Sequence, residues 1–203
     1  MRKVSLVTFL MLVSALAAYS QTQQFNIDPV HSSAQFKVKH MLVSTVVGRF
    51  TDISGTVVYD AQDPTKSKVD AVIKTASVST DNNMRDGDLK NNYFEVEKYP
   101  EMKFSSTKIE KRGDQWVATG PLTIKDVTKT IEIPFEVTVA NSQRGPALGA
   151  SASFKVNRDD YHVAKAGMMD NGATVGKDIT IELNIEAHPP KPAAPAPATG
   201  DKK

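Results

Sequence analysis

The sequence predicts an all-β fold of about eight antiparallel strands, the count of a small up-and-down barrel. Two observations carry this. Apolar and polar residues alternate with period two through most of the chain, and the inward faces of two such strands are unusually small. In Gln115 to Ile124, QWVATGPLTI, Trp116, Ala118, Gly120, Leu122 and Ile124 share one face. Gln115, Val117, Thr119, Pro121 and Thr123 share the other. Ala147 to Val156 repeats the idea, with Leu148, Ala150, Ala152, Phe154 and Val156 on the apolar face. A sheet with one apolar face must bury it. An eight-stranded barrel is just wide enough to fill itself or to hold one small ligand. Ala and Gly inside favour a ligand cavity; close packing of one sheet on another is the alternative reading of the same residues.

The elements follow in chain order. Met1-Arg2-Lys3 is a short basic start, and Val4 to Ala18 is an apolar run of secretory length, too short and wrongly flanked for a stable membrane span. Ala18-Tyr19-Ser20 offers small residues where a signal peptidase reads, so residues 1–20 are expected to be a signal peptide. The mature chain then has no transmembrane segment. With no cysteine anywhere, no disulfide holds the fold and no lipid is attached through a cysteine at its start. Ser33 to His40 alternates Ala34, Phe36, Val38 and His40 against Gln35, Lys37 and Lys39. Met41 to Val47 reads as a short helical or turn segment. Gly48 to Asp60 is extended, with a bend or bulge near Asp52 to Gly55. A turn at Ala61 to Pro64 leads to Lys68–Val78, with Val69, Ala71, Ile73 and Thr75 on one face. Thr80 to Phe94 breaks the pattern: Asp81 is expected to cap a short helix that turns Met84 and Leu89 toward the barrel. Glu101 to Lys111 resumes with Met102, Phe104 and Ser106 inward. Arg112-Gly113-Asp114 turns into the Trp116 strand, and Lys125-Asp126 turns into Thr130–Val139. There Ile131, Ile133, Phe135, Val137 and Val139 share a face, and Pro134 predicts an edge, a bulge or a ladder break. Lys177 to Glu186 closes the set with Ile179, Ile181, Leu183 and Ile185. Residues 21–187 thus form one domain, and 188–203, HPPKPAAPAPATGDKK, a disordered Pro/Ala-rich tail, either a spacer or a solubilising end.

Charge narrows the function. The chain holds 25 basic and 23 acidic residues; setting aside Arg2, Lys3, Lys191, Lys202 and Lys203, with Asp201, leaves the domain 20 against 22. A slightly acidic domain is not built for nucleic acid. Chemistry is sparse. His31, His40 and His162 lack the spacing of a zinc site, so no metal is expected. Gly-x-Ser-x-Gly and Gly-rich phosphate loops are absent, so no catalytic residue is assigned. Arg49, Arg85 and Arg158 flank apolar stretches and suit an anionic head group by their planar forks; pairing with nearby carboxylates, such as Asp81, Asp88, Asp159 or Asp160, is the competing reading.

At this point the residues resemble a known family. FNIDPVHSSAQFKVKHMLVSTVVGRF is similar to the start of the YceI-like polyisoprenoid-binding proteins, with Asp-x-x-His-Ser, Phe-x-Val-x-His and Gly-x-Phe elements. DLKNNYFEVEKYPEMKFSST, GPLTIKDVTKTIEIPF and VNRDDYHVAK resemble three later signatures in the same order. The resemblance covers Phe25 to about Glu186 and implies an extended lipocalin-like barrel with a helical cover. It also implies a long apolar cavity for a polyisoprenoid or a fatty-acid-like lipid, no cofactor, no enzymatic activity, a homodimer in many members, and a periplasmic or secreted location. One departure stands out: Tyr161-His162 replaces the expected Phe-Gly, which makes His162 a candidate influence on head-group choice. Met168 and Met169 behind it are candidates to pack adaptably on a flexible chain.

The expected cavity wall is Phe36, Val38, Phe50, Ile73, Phe104, Trp116, Ala118, Leu122, Phe135, Ala152 and Phe154, with Arg49, Arg85 and Arg158 as head-group candidates. An envelope enzyme using His31, His40 or His162 as a base, and a filled β-sandwich serving as an interaction module, are the alternatives.

Overall fold

In the computed structural model, residues 22–142, 145–165 and 172–191 are described. The expected signal peptide, Met168 and Met169, and most of the Pro/Ala tail lie outside them. Twelve strands form a single sheet that closes on itself. Eight of them make the barrel: β1 (Thr22–Ile27), β4 (Ile53–Asp60), β5 (Lys68–Lys74), β7 (Glu101–Ser105), β9 (Gln115–Ile124), β10 (Val127–Ser142), β11 (Gly145–Asn157) and β12 (Asp178–His188). β1 pairs with both β4 and β12, which removes the free edges of the ring. Four strands extend it: β2 (Ser33–His40), β3 (Ser44–Phe50), β6 (Val78–Ser79) and β8 (Lys108–Arg112).

The extra strands come from breaks in longer ones. β12 carries β2 along Thr180–Asn184 and β1 at Ala187–His188, so one edge is shared by two successive segments. β1 was not foreseen, because Thr22 to Ile27 is too short and polar to show period two. The β3–β4 bend falls at Thr51-Asp52, just ahead of the expected position. The predicted strand Glu101–Lys111 breaks at Ser106-Thr107. Ser106 turns its hydroxyl to the Val69 amide (2.8 Å), and the inward parity shifts to Ile109. β12 runs on to His188, two residues past the predicted end of the last strand. Pro134 lies where the β10–β11 ladder stops: pairing with β11 starts at Phe135, whereas pairing with β9 continues through Pro134. A residue with no N–H to give ends a ladder on the side that would need it.

The β2–β3 connection is a three-residue loop, Met41-Leu42-Val43, not a helix. Met41 and Leu42 have φ of 50° and 61°. That left-handed region costs a side-chain-bearing residue roughly 1–2 kcal/mol. The helix α1 (Asn83–Asp88) is capped by Asn82, whose side chain accepts from the Arg85 amide, and not by Asp81. Asp86 is buried and accepts from the Thr80 amide (2.8 Å) and hydroxyl. Residues 86, 89 and 93 therefore face the barrel, and Met84, expected inward, is 88 % exposed. A π-turn over Leu89–Tyr93 delivers Phe94 edge-on to Phe50, with ring centroids 5.5 Å apart.

Candidate functional site

The inward faces leave a cavity of about 450 Å³ along the barrel, within the range of small-molecule sites. Its wall is built in rows across the strands. Trp116, Phe135, Ala152, Leu183, Ala34 and Phe50 are cross-strand partners in succession. A second row runs Phe154, Ile181, Phe36 and Gly48. In the first row large residues flank Ala152 and Ala34, and these two line the cavity. Near one end, Phe25, Val57, Leu148 and Ala187 pack into an apolar cluster. Toward the other, Phe36, Phe50, Val78 and Met102 pack with Leu89 and Phe94 from the helical cover.

All eleven apolar residues expected in the wall line this cavity: Phe36, Val38, Phe50, Ile73, Phe104, Trp116, Ala118, Leu122, Phe135, Ala152 and Phe154. Gly120 does not. A Cβ there would stand 2.0 Å from the Ser105 carbonyl oxygen, so its smallness serves the close passage of the β7–β8 break. Val139, at 43 % exposure, also falls outside the cavity. Gly48 is small for a third reason: the Phe36 ring lies across it, 2.3 Å from where a Cβ would be.

The arginines separate. Arg49 lies off the cavity and pairs with Asp81 at 3.3 Å. Arg158 lines the cavity but is buried, and its guanidinium donates to the carbonyls of Val163, Gly176 and Val175, each at 3.1 Å. It also pairs with Asp159. Its fork is spent on holding the segment before β12. Arg85 lines the cavity and donates to the Thr80 hydroxyl (2.7 Å) and carbonyl (3.0 Å), leaving it the most accessible of the three to a ligand.

The Tyr161-His162 departure sorts differently from expectation. His162 lies outside the wall, with Nδ1 3.2 Å from Asp126. Tyr161 lines the cavity, and its hydroxyl is buried with no hydrogen-bond partner among the described residues. Burial raises its pKa. Sequence reasoning also missed Tyr93 and Phe94, whose helical cover hides them from a period-two reading.

On the outer wall, where β1 gives way to β2, ligand-type atoms of Asp28, His31 and Glu186 come within 4.8 Å of one another. His31 Nδ1 meets Asp28 at 2.9 Å, which holds that carboxyl below its usual range. His188 meets Glu186 at 2.8 Å. These groups answer one another and pin the β1–β2 corner to β12, together with the Asp28 amide donating to the Glu186 carbonyl. His40 lies at the far end of β2 from this corner and lines the cavity.

Comparison with known proteins agrees with this architecture. The model of the YceI-like domain matches residues 25–187. The chain belongs to the YceI-like family. It is 34 % identical over 155 residues to the UPF0312 protein plu2095 of Photorhabdus laumondii, covering 75 % of this chain and 81 % of that one. It is 30 % identical over 156 residues to protein YceI of Escherichia coli, covering 75 % and 82 %. Among solved structures, the Campylobacter jejuni YceI protein superposes with a TM-score of 0.67 at 34 % identity, over 75 % of this chain and 90 % of that one. Burkholderia cenocepacia BcnA gives 0.71 at 23 % identity, over 79 % and 98 %. A Saccharophagus degradans domain described as polyisoprenoid-binding gives 0.63 at 14 % identity, over 82 % and 98 %. The last two bear on the fold alone. Within the YceI-like family, the barrel closed here by β1 and β12 is the expected architecture. No helix among the described residues is long and apolar enough to cross a membrane.

Proposed function

We propose that this YceI-like protein sequesters or carries a long-chain isoprenoid, or a related amphiphilic lipid, in its barrel cavity, without catalysing a reaction on it. The observation that carries the reading is the continuous lumen walled by aliphatic and aromatic side chains from every strand of the ring. A chain moved from water into such a lumen gains about 0.8 kcal/mol per buried methylene. The Saccharophagus domain that shares this fold is described as polyisoprenoid-binding.

The polar residues favour binding over turnover. His162 lies outside the lumen on a carboxylate, and Arg158 is tied to backbone carbonyls. The basic start and apolar run of residues 1–18 support export, so a periplasmic or secreted carrier is the natural setting. The test is purification without detergent, organic extraction and mass spectrometry. A stoichiometric isoprenoid or long-chain amphiphile is expected. An empty extract, from protein that also takes up no added polyprenol, overturns the reading.

A further inference from the structure

We infer that the tip of the β2–β3 hairpin docks this protein on an anionic lipid bilayer, holding the hairpin end of the cavity against the membrane. The loading role of that contact rests on the lipid-carrier reading above; the contact itself stands on the hairpin.

The first observation is exposure. Met41, Leu42 and Val43 are 61 %, 72 % and 86 % exposed, and Met84 of α1 is 88 % exposed. Three consecutive apolar side chains stand at a loop tip, where polar turn residues are the rule. Two of them occupy left-handed backbone, φ 50° and 61°, at positions that Gly or Asn would fill without strain. Backbone strain at an apolar tip is a cost that a contact made by the tip would offset.

The second observation is charge. From Ser33 to Phe50 the hairpin holds Lys37, Lys39 and Arg49 and not one Asp or Glu, in a chain that is otherwise nearly balanced. Lys37 is answered by Glu182 and Arg49 by Asp81. Lys39, one residue from the end of β2, is exposed and has no acidic partner among the described residues. An apolar tip flanked by cations matches the two layers of an anionic membrane surface. A second copy docked hairpin to hairpin would set like charges against one another.

The third observation is position. Val38 and Val46 are cross-strand partners that line the cavity, so the tip continues the cavity's own apolar wall outward. Beyond Arg49 and Phe50, β3 has no strand partner on its second side: Ser44 to Gly48 are left without one. The Thr80 side chain closes the wall against Gly48, so the unpaired edge is the stretch from Ser44 to Val47 beside the tip.

The test compares the protein with a Leu42→Asn, Val43→Asp double variant. Both positions are exposed and Asn tolerates left-handed backbone, so the fold is retained. Sedimentation with phosphatidylethanolamine–phosphatidylglycerol vesicles is expected to show wild-type binding that weakens with salt. The variant should lose roughly tenfold or more of it. Transfer of a prenylquinone from those vesicles should slow in parallel, while uptake of the same prenylquinone from dilute ethanol stays unchanged. Wild type that ignores the vesicles, or a variant that binds them equally, overturns the inference. So does a wild-type dimer that the variant dissolves in the absence of lipid, which gives the tip to a second copy. Vesicle binding lost in the variant, together with no prenylquinone uptake by either protein, upholds the docking and removes the carrier reading.

Discussion

Replacing Ala152 with Trp separates a hollow lumen from a filled core. Ala152 stands between Phe135 and Leu183 in its row and faces the cavity of about 450 Å³. In a filled core the indole has no room. Overpacking of that kind costs about 1–3 kcal/mol, and each kcal/mol lowers Tm by roughly 2–4 °C in a domain of this size. In a hollow lumen the indole projects into free space and stability moves by no more than about 0.5 kcal/mol, as for a surface change. The ligand then bears the loss. Each isoprene unit shut out removes five buried carbons, on the order of 4 kcal/mol at ~0.8 kcal/mol per carbon. That is nearly three powers of ten in Kd. The assay pairs thermal unfolding with displacement of a fluorescent lipid probe. The expected result is a near-native Tm with affinity reduced about a hundredfold or more. Full affinity in the folded variant refutes the assignment of the lumen as the binding site. A drop of many degrees in Tm refutes the hollow lumen.

Three further outcomes follow from side chains already described. Tyr161→Phe removes a buried hydroxyl without a partner among the described residues and is expected to stabilise the unliganded protein by about 1 kcal/mol in denaturant titration; a loss of stability would mean that the hydroxyl is satisfied. Arg158→Lys keeps the charge but cannot span the carbonyls of Val163, Gly176 and Val175. A cost of about 2–3 kcal/mol in unfolding free energy is expected, and an unchanged value would show that the fork is dispensable. Acid should destabilise the fold. Lys103 and Lys74 hold Glu101 down from 4.5 to about 2, Lys108 and Arg112 lower Glu110, and Arg112 lowers Glu132. Carboxylates depressed in the folded state contribute stability above their unfolded pKa. That stability is lost as pH falls from about 4.5 toward 2. Tm measured across that window should fall, and less steeply in high salt; a flat profile would dismiss the surface pairs.

Period two made the barrel legible. The faces read from β9 and β11 are the faces that line the cavity, because a strand half-buried along its length prints its geometry residue by residue. What the pattern could not show is where strands break. The parity change between Phe104 and Ile109 depends on Ser106 bonding to β5, a contact 37 residues away in sequence. The cap of the helical cover stands at Asn82, one residue past the expected Asp81. Asn82 and Asp81 are equally good caps locally, and the choice fell to Asp86, whose carboxylate had to reach Thr80. Met84 then turned outward. Nothing local tells an arginine that binds a head group from a guanidinium committed to backbone carbonyls: Arg158 is the latter, and its three acceptors lie 5, 17 and 18 residues downstream.

The shared edge of β12 also fixes the order in which this molecule can be completed. Ser32 and Glu186 exchange hydrogen bonds across 154 positions of sequence, and Asn26 pairs with His188. Until the final strand has been synthesised, β1 and β2 have no partner on that side and the ring cannot shut. Such long-range pairing makes for slow folding. An unshut ring leaves its apolar lining and two open edges facing other chains at the stage when aggregation competes with folding. Holding the unfinished chain apart from its neighbours until its last eleven-residue strand arrives is therefore a demand that this topology places on the cell.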